Sequence, residues 1–231
     1  MAAMAQGKKR PFFFHHQSGY RRNPFGALTD TECADVALLP EAVTAVLDHP
    51  VHIQLLGPAG VGKSSALLAI QRAWQQHGQQ VAYEYIPEGQ RQFHTSLVNL
   101  DAFCLDEAQR LGWRWQRRLW PAQGHIRLGL GSHADLSAHF APNTLVTIDL
   151  TQHINAAHWQ QIIARRLAYF ALPDTPAATL APDAIEFLWT TFACDLRAGE
   201  YFLYEVWQEL ETAVSLTAAD LQKQLKKGGN G

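Results

Sequence analysis

Three observations predict an α/β fold. Short apolar runs alternate with helix-patterned stretches from residue 51 to about residue 153. A glycine-rich loop joins the first run to the first long helix. After residue 153 the strand signal stops and only helical spacing continues. Strands that alternate with helices build a parallel sheet covered by helices. The expected architecture is a parallel sheet of about five strands flanked by helices, with a small all-helical part behind it.

The elements follow in order. Residues 1–22 read as an irregular arm, and Asn23-Pro24-Phe25-Gly26 as a turn. Thr29 or Asp30 can cap a short helix through Ala37, and Pro40 suits the N1 position of a second helix over 40–48. Val51 to Leu56 is the first strand-like run. Residues 63–77 place Ala66, Leu67, Leu68, Ile70 and Trp74 at the spacing of a buried helix. Val81 to Ile86, Leu100 to Leu105, His125 to Gly131 and Leu145 to Leu150 supply four more strand runs. Beyond them, helices are expected over 155–171, 182–192, 199–213 and 217–227, with Pro173 and Pro176 breaking the chain after the first. The division that results is a basic flexible arm over 1–22, an α/β domain over 23–153, and a helical lid with a basic tail over 154–231.

Composition narrows the class. The chain has 231 residues, 47% of them apolar and 17% charged. That supports a proper core and excludes a wholly disordered chain. No apolar run reaches 18 residues, so no membrane-spanning helix is expected. Cys33, Cys104 and Cys194 are scattered and odd in number, which fits neither a zinc pattern nor a disulfide framework and points to a reducing cytoplasm. The net charge of −2 hides a split: residues 1–22 carry five Lys/Arg and no acid, residues 221–231 carry three Lys and no acid, and the middle stands at −10. Basic ends on an acidic body serve as arms for nucleic acid or anionic lipid, or are merely solvated.

The strongest motif is Gly57-Pro58-Ala59-Gly60-Val61-Gly62-Lys63-Ser64, a full GxxxxGK[ST] between a strand and a helix. The glycines let the backbone curl so that its N–H groups face phosphate oxygens at a helix N-terminus. Ser65 follows in the first helical turn. Lys63 is expected to reach the β and γ phosphates, and the Ser64 hydroxyl to ligate Mg²⁺. The partner motif is Phe103-Cys104-Leu105-Asp106-Glu107, an apolar strand ending in two carboxylates 43 residues beyond Lys63. Asp106 is the expected Mg²⁺ acid and Glu107 the base that activates water. Asp101 is the lesser choice for the acid, and a plain helix cap at Asp106 is the alternative reading of the pair.

On these residues the chain resembles the AAA+ family of P-loop ATPases, and its layout is similar to the small ATPases of bacterial transposition and general secretion. The resemblance spans roughly residues 23–215. It implies ATP with Mg²⁺ as ligand, an oligomer, and a protein partner, with DNA among the partners. It further implies that Ser132 or His133, after the fourth strand, reads the γ-phosphate. Arg197, in Asp195-Leu196-Arg197, would reach back to the nucleotide. Asn23-Pro24-Phe25 resembles a linker that packs beside adenine, with a core plug as the alternative. One feature departs from the family: the stretch before the fifth strand, Ala134 to Asn143, has no Lys or Arg to act as the trans-acting arginine finger. Losing such a finger costs ~10³–10⁵ in turnover. Arg117, Arg118, Arg165 and Arg166 are the candidate substitutes.

Two stretches stay open. Arg110, Trp113, Arg114, Trp115, Arg117, Arg118 and Trp120 crowd one segment. Such a segment either tracks nucleic acid or forms an amphipathic helix with its tryptophans inward. Phe12-Phe13-Phe14-His15-His16 with Tyr20 docks either on a partner or on the core. The expected function is an ATPase whose turnover moves the helical lid; the alternative is an ATP-dependent switch or scaffold with little hydrolysis.

Overall fold

The structure is a computed structural model that describes residues 14–228. Five parallel strands form one sheet: β1 (His52–Leu56), β2 (Val81–Tyr85), β3 (Ala102–Asp106), β4 (Arg127–Ser132) and β5 (Leu145–Asp149), in the order β2-β3-β4-β1-β5. β1 thus sits between β4 and β5, with Leu56 beside Ser132 on one side and Asp149 on the other. The strand order changes direction around β1, so the loops after β1, β3 and β4 converge at the carboxyl edge. That crevice is where open α/β sheets bind ligands.

Each side chain on the strands chooses a layer by alternation. Ile53, Leu55, Ala102 and Cys104 face the helix α3 (Lys63–Gln76), which covers one side of the sheet with Ala66, Leu67, Ile70 and Trp74. Phe103, Leu105, Leu128 and Leu130 face the other side, covered by Phe93, Leu111 and Leu119. β4 presents Gly129 and Gly131 to α3. A methyl group on Gly131 would come within 2.9 Å of Leu67 Cδ1 and 3.2 Å of Asp106 Cγ. The two glycines let α3 lie close to the sheet and leave space for the Asp106 carboxylate.

Shorter helices frame the open edge. α1 (Asp30–Val36) starts at a reciprocal capping box between Thr29 and Glu32. α2 (Glu41–Thr44) is shorter than the expected 40–48 helix, and Pro40 is its N-cap rather than its first residue. α4 (Trp113–Leu119) follows β3. The later part contains α5 (Ala156–Phe170), α6 (Pro182–Phe192), α7 (Leu196–Glu209) and α8 (Ala218–Gly228). α7 begins three residues earlier than its apolar spacing suggests, because Asp195 accepts the Ala198 N–H at 2.9 Å and caps it. α7 crosses α5 at Gly199, where any side chain would strike the Trp159 ring. The Trp159 indole in turn donates to the Ala193 carbonyl at 2.9 Å. One apolar core runs unbroken from Ile53, Leu55 and Leu67 into Trp159, Leu188, Trp207 and Leu221.

Two expectations need correction. The arm over 1–22 ends sooner: Phe14–Ser18 form a 3-10 turn, and Tyr20 is only 1% exposed. Tyr20 bridges to Ala171, and its hydroxyl donates to the Ala178 carbonyl. Its ring docks on the chain's own core beside Trp207. Lys8, Lys9, Arg10, Phe12 and Phe13 lie outside the described residues. Strand structure also persists beyond residue 153, as a two-residue parallel ladder of β6 (Thr179–Leu180) with β7 (Ser215–Leu216). Two residues are too few to show alternation. Among the described residues no helix is long and apolar enough to cross a membrane, and all three cysteines are free.

Candidate active site

The loop after β1 holds the unusual backbone that its glycines allow. Gly60 and Gly62 have φ of +88° and +91°, and Gly62 is the N-cap from which α3 starts. Lys63 points back over the loop and donates to the Gly57 and Pro58 carbonyls at 2.7 and 2.8 Å. Burial lowers the Lys63 pKa, opposed by the nearby Glu107 and Asp106 carboxylates. Ser64 Oγ donates to Asp106 Oδ2 at 2.5 Å, so the residues expected to share one cation already touch. Asp106 is fully buried at the end of β3, and Tyr83 OH approaches the same oxygen at 3.4 Å. Burial and Asp106 push the Tyr83 phenol upward, so it stays a hydrogen-bond donor. Asp101 is exposed at the other end of the strand, where it accepts the Gln80 N–H at 2.8 Å; this removes it as the metal acid.

Glu107 adopts a left-handed backbone (φ 58°, ψ 38°), which is uncommon for a residue with a side chain. The turn aims its carboxylate into the crevice. There it meets Gln109 Nε2 at 2.7 Å, Arg110 Nη2 at 3.2 Å and His133 Nε2 at 3.2 Å. His133 also lies 3.5 Å from Lys63 Nζ. Of the two candidates after β4, His133 is the one inside the site. Ser132 is a correction: it is fully buried, its hydroxyl donates to the Ala134 carbonyl at 2.7 Å, and the Ala134 N–H returns to it at 3.0 Å. It closes a turn and does not line the crevice.

The helical part completes the far wall. Arg197 N–H donates to the Gly60 carbonyl at 3.3 Å, and the Asp195 cap lies against Gly60 so closely that a methyl group there would sit 3.0 Å from Asp195 Cγ. The Arg197 side chain lines the crevice with Ala59 to Ala66, Glu107 and His133, and no ion pair among the described residues engages it. Leu28, Val36, Leu38, Ile154 and Ile162 make the other end apolar. His158 stands there too, held toward its neutral form by burial and by His153.

Phe25 is the core plug rather than a wall of the crevice. It packs on Trp207 at 4.8 Å between ring centres, and Leu28, three residues on, takes the place at the apolar end. Arg166 pins this linker by donating to the Pro24 carbonyl at 2.5 Å and the Gly26 carbonyl at 2.9 Å, while pairing with Glu200 at 2.7 Å. Buried in that way, Arg166 is removed from the candidate trans-acting arginines. Sequence reasoning missed the Gln109 and Arg110 contacts to Glu107; their position two and three residues after it was the available signal.

The donor set fits a hard divalent cation. Ser64 and Asp106 offer a hydroxyl and a carboxylate oxygen side by side, the ligand type that magnesium prefers when substrate phosphates and water supply the rest. Among the described residues no group of three or more His, Cys, Asp or Glu is arranged to hold a metal by itself.

Comparison with known proteins agrees at the level of fold. No family model matches the chain, and no curated protein matches it. Solved structures do. The Holliday junction branch-migration motor RuvB of Thermotoga maritima aligns with a TM-score of 0.56 at 18% identity, over 80% of this chain and 65% of that one. The replication initiator DnaA, bound to AMPPCP and single-stranded DNA, gives 0.55 at 15% identity, over 89% and 71%. Domain III of Thermotoga maritima DnaA gives 0.54 at 14% identity, over 87% and 98%. This chain therefore spans just under two thirds of the RuvB chain but nearly all of the isolated DnaA domain. The chain shares the P-loop NTPase α/β fold with these structures.

Proposed function

We propose that the chain binds ATP with Mg²⁺ in the crevice between the loop 57–64 and α7, and hydrolyses it. The observation that carries this reading is the meeting of Ser64 with Asp106 beside a Glu107 carboxylate aimed into the same crevice. The loop amides and Lys63 hold the phosphates, and Lys63 exchanges its loop carbonyls for phosphate oxygens. Ser64 and Asp106 would hold the cation, which would supply positive charge to offset that of the phosphates. Glu107 accepts a proton from the water that attacks the γ-phosphorus, and the bond to the leaving ADP oxygen breaks. His133 orients the Glu107 carboxylate, and Arg197 carries the nucleotide state into α7. The output is a movement of α5–α8 on a macromolecular client in the cytoplasm, with a protein partner and self-assembly as the setting. DNA is a candidate client, since a structural neighbour is bound to single-stranded DNA.

A second reading has its own support. Glu107 is tied by Gln109, Arg110 and His133, and Ala134 to Asn143 supply no arginine. A chain so arranged works as an ATP-gated switch or scaffold with little turnover. ATP turnover of wild type beside Glu107→Gln separates the two. Hydrolysis predicts phosphate release that falls by a factor of 10² or more in the variant while binding persists. Equal turnover in both proteins overturns hydrolysis by Glu107 and leaves the switch.

A further inference from the structure

α4 carries its apolar residues inward and leaves a second face that the fold does not use. Trp115 packs edge-on to Phe93 at 4.9 Å, and Leu119 is fully buried. On the outer face Trp113 is 62% exposed, with the Arg114 and Arg117 guanidiniums 5.3 and 5.9 Å from its ring centre. Arg118 lies over Trp115 at 5.2 Å. Arg91 is drawn alongside because its carbonyl accepts the Gly112 N–H at 2.9 Å.

These four arginines are exposed, and no ion pair among the described residues engages any of them. Two acids on or beside the flanking strands are hydrogen-bonded to backbone amides instead of to these arginines. Glu84 accepts from the His94 and Thr95 amides, and Asp101 accepts from Gln80. Glu88 and Asp101 are exposed, and neither pairs with an arginine of α4 among the described residues. Residues 23–220 hold 21 acids against 11 basic residues, yet four of those 11 stand without an ion pair on or beside α4, two of them against the Trp113 ring.

We propose that this face binds a single-stranded nucleic acid, with the arginines on its phosphates and Trp113 under a base. Guanidiniums match phosphate oxygens in a planar fork. An unpaired base offers a free π-face to an exposed indole, whereas the bases of a duplex are already stacked on one another. An acidic peptide would neutralise the arginines but leave the Trp113 ring uncovered. The inference gives a chemical class to the client of the function proposed above and rests on that part of the reading, not on ATP turnover. The face also lies next to the crevice. Arg110 joins Glu107 at 3.2 Å to the Tyr85 hydroxyl at 3.2 Å and the Ile86 carbonyl at 2.7 Å, on the side where α4 begins.

The test is fluorescence anisotropy of labelled oligo-dT and oligo-U with the full chain in the absence of nucleotide. Wild type is compared with Trp113→Ala, Trp113→Phe and the double variant Arg114→Ala/Arg117→Ala. The expected result is binding of one or both strands that is at least about fivefold weaker in Trp113→Ala and largely restored in Trp113→Phe. The double arginine variant should flatten the slope of log affinity against log salt by about 1.4. A duplex of the same length should bind more weakly, and thermal melts of the variants should match wild type because the altered side chains are exposed. Four results would overturn the proposal: no binding at low salt, equal affinity of Trp113→Ala and wild type, equal or tighter binding of duplex, or displacement of the oligonucleotide by an equal concentration of polyglutamate. The second would move binding to the lysine-bearing ends, and the fourth would indicate an acidic protein client. Because no nucleotide is present, failure here is distinct from failure of the ATP reading.

Discussion

Replacing Gly131 with alanine places a methyl group where Asp106 keeps its carboxylate. The added carbon would sit 3.2 Å from Asp106 Cγ and 2.9 Å from Leu67 Cδ1, and closer still to Asp106 Oδ1. Neither neighbour yields easily. Asp106 is held by Ser64 Oγ at 2.5 Å and by its own contact with the Glu107 N–H at 3.0 Å, and Leu67 is fully buried under the sheet. Overpacking of this kind costs about 1–3 kcal/mol. For a chain of this size each kcal/mol lowers Tm by about 2–4 °C, so the expected fall is about 2–12 °C. If Asp106 instead rotates away, stability is kept and the dependence of nucleotide binding on Mg²⁺ is lost. Gly129→Ala is the internal control. It lies on the same strand and face, but its added methyl group meets Cys104 Sγ at 3.1 Å and Leu67 at 3.4 Å, so its effect should be clearly smaller. Thermal melts and magnesium titrations of fluorescent ATP binding read both effects. A Gly131→Ala protein that melts like wild type and binds with the same magnesium dependence would refute the account of the β4 glycines.

Three further predictions concern the frame around the site. Arg166→Ala should destabilise by about 1–3 kcal/mol in a denaturant melt, because it leaves the Pro24 and Gly26 carbonyls without their donor and frees the linker, while Arg165→Ala should stay within about 0.5 kcal/mol. Equal effects would show that Arg166 does not anchor the linker. Asp195→Ala should cost about 1 kcal/mol by uncapping α7, and Asp195→Asn should recover most of it, since both side chains cap. Above pH 10 stability should fall as pH rises. Burial raises the Tyr20 phenol to about 12, so between pH 10 and 12 the unfolded chain releases a proton that the folded chain retains. Tyr20→Phe should flatten that alkaline decline in urea midpoints; an unchanged slope would mean that Tyr20 does not carry it.

Most of the scaffold could be read from the chain because its signals are local. Five apolar runs, each beside a helix-patterned stretch, matched five strands to within a residue or two at most ends. The phosphate loop announces itself through glycine spacing, and Asp106 through its place at the end of an apolar run. What could not be read depends on contacts between distant segments. Ser132 and His133 are adjacent and equally polar; only the Ala134 turn decides that Ser132 faces inward and His133 meets Glu107. Phe25 is the core plug, and Leu28 lines the crevice, because Trp207, some 180 residues later, receives the phenylalanine. Arg166 looks like any arginine of an amphipathic helix until the carbonyls of residues 24 and 26 are found beside it. The Trp and Arg segment divides by face: Trp115 goes inward, Trp113 outward, and one helix satisfies part of each reading.

The central claim is that Lys63, Ser64 and Asp106 together hold a magnesium nucleotide. Its most direct measurement is equilibrium binding of fluorescent ATP to wild type, Lys63→Ala and Asp106→Asn, each with Mg²⁺ and again with EDTA. The account predicts that wild type binds more tightly with Mg²⁺ than with EDTA. It predicts that Lys63→Ala loses most affinity in both conditions, and that Asp106→Asn retains the EDTA affinity while losing the gain from Mg²⁺. Wild type that binds no nucleotide, or that binds equally in all three proteins, would contradict it.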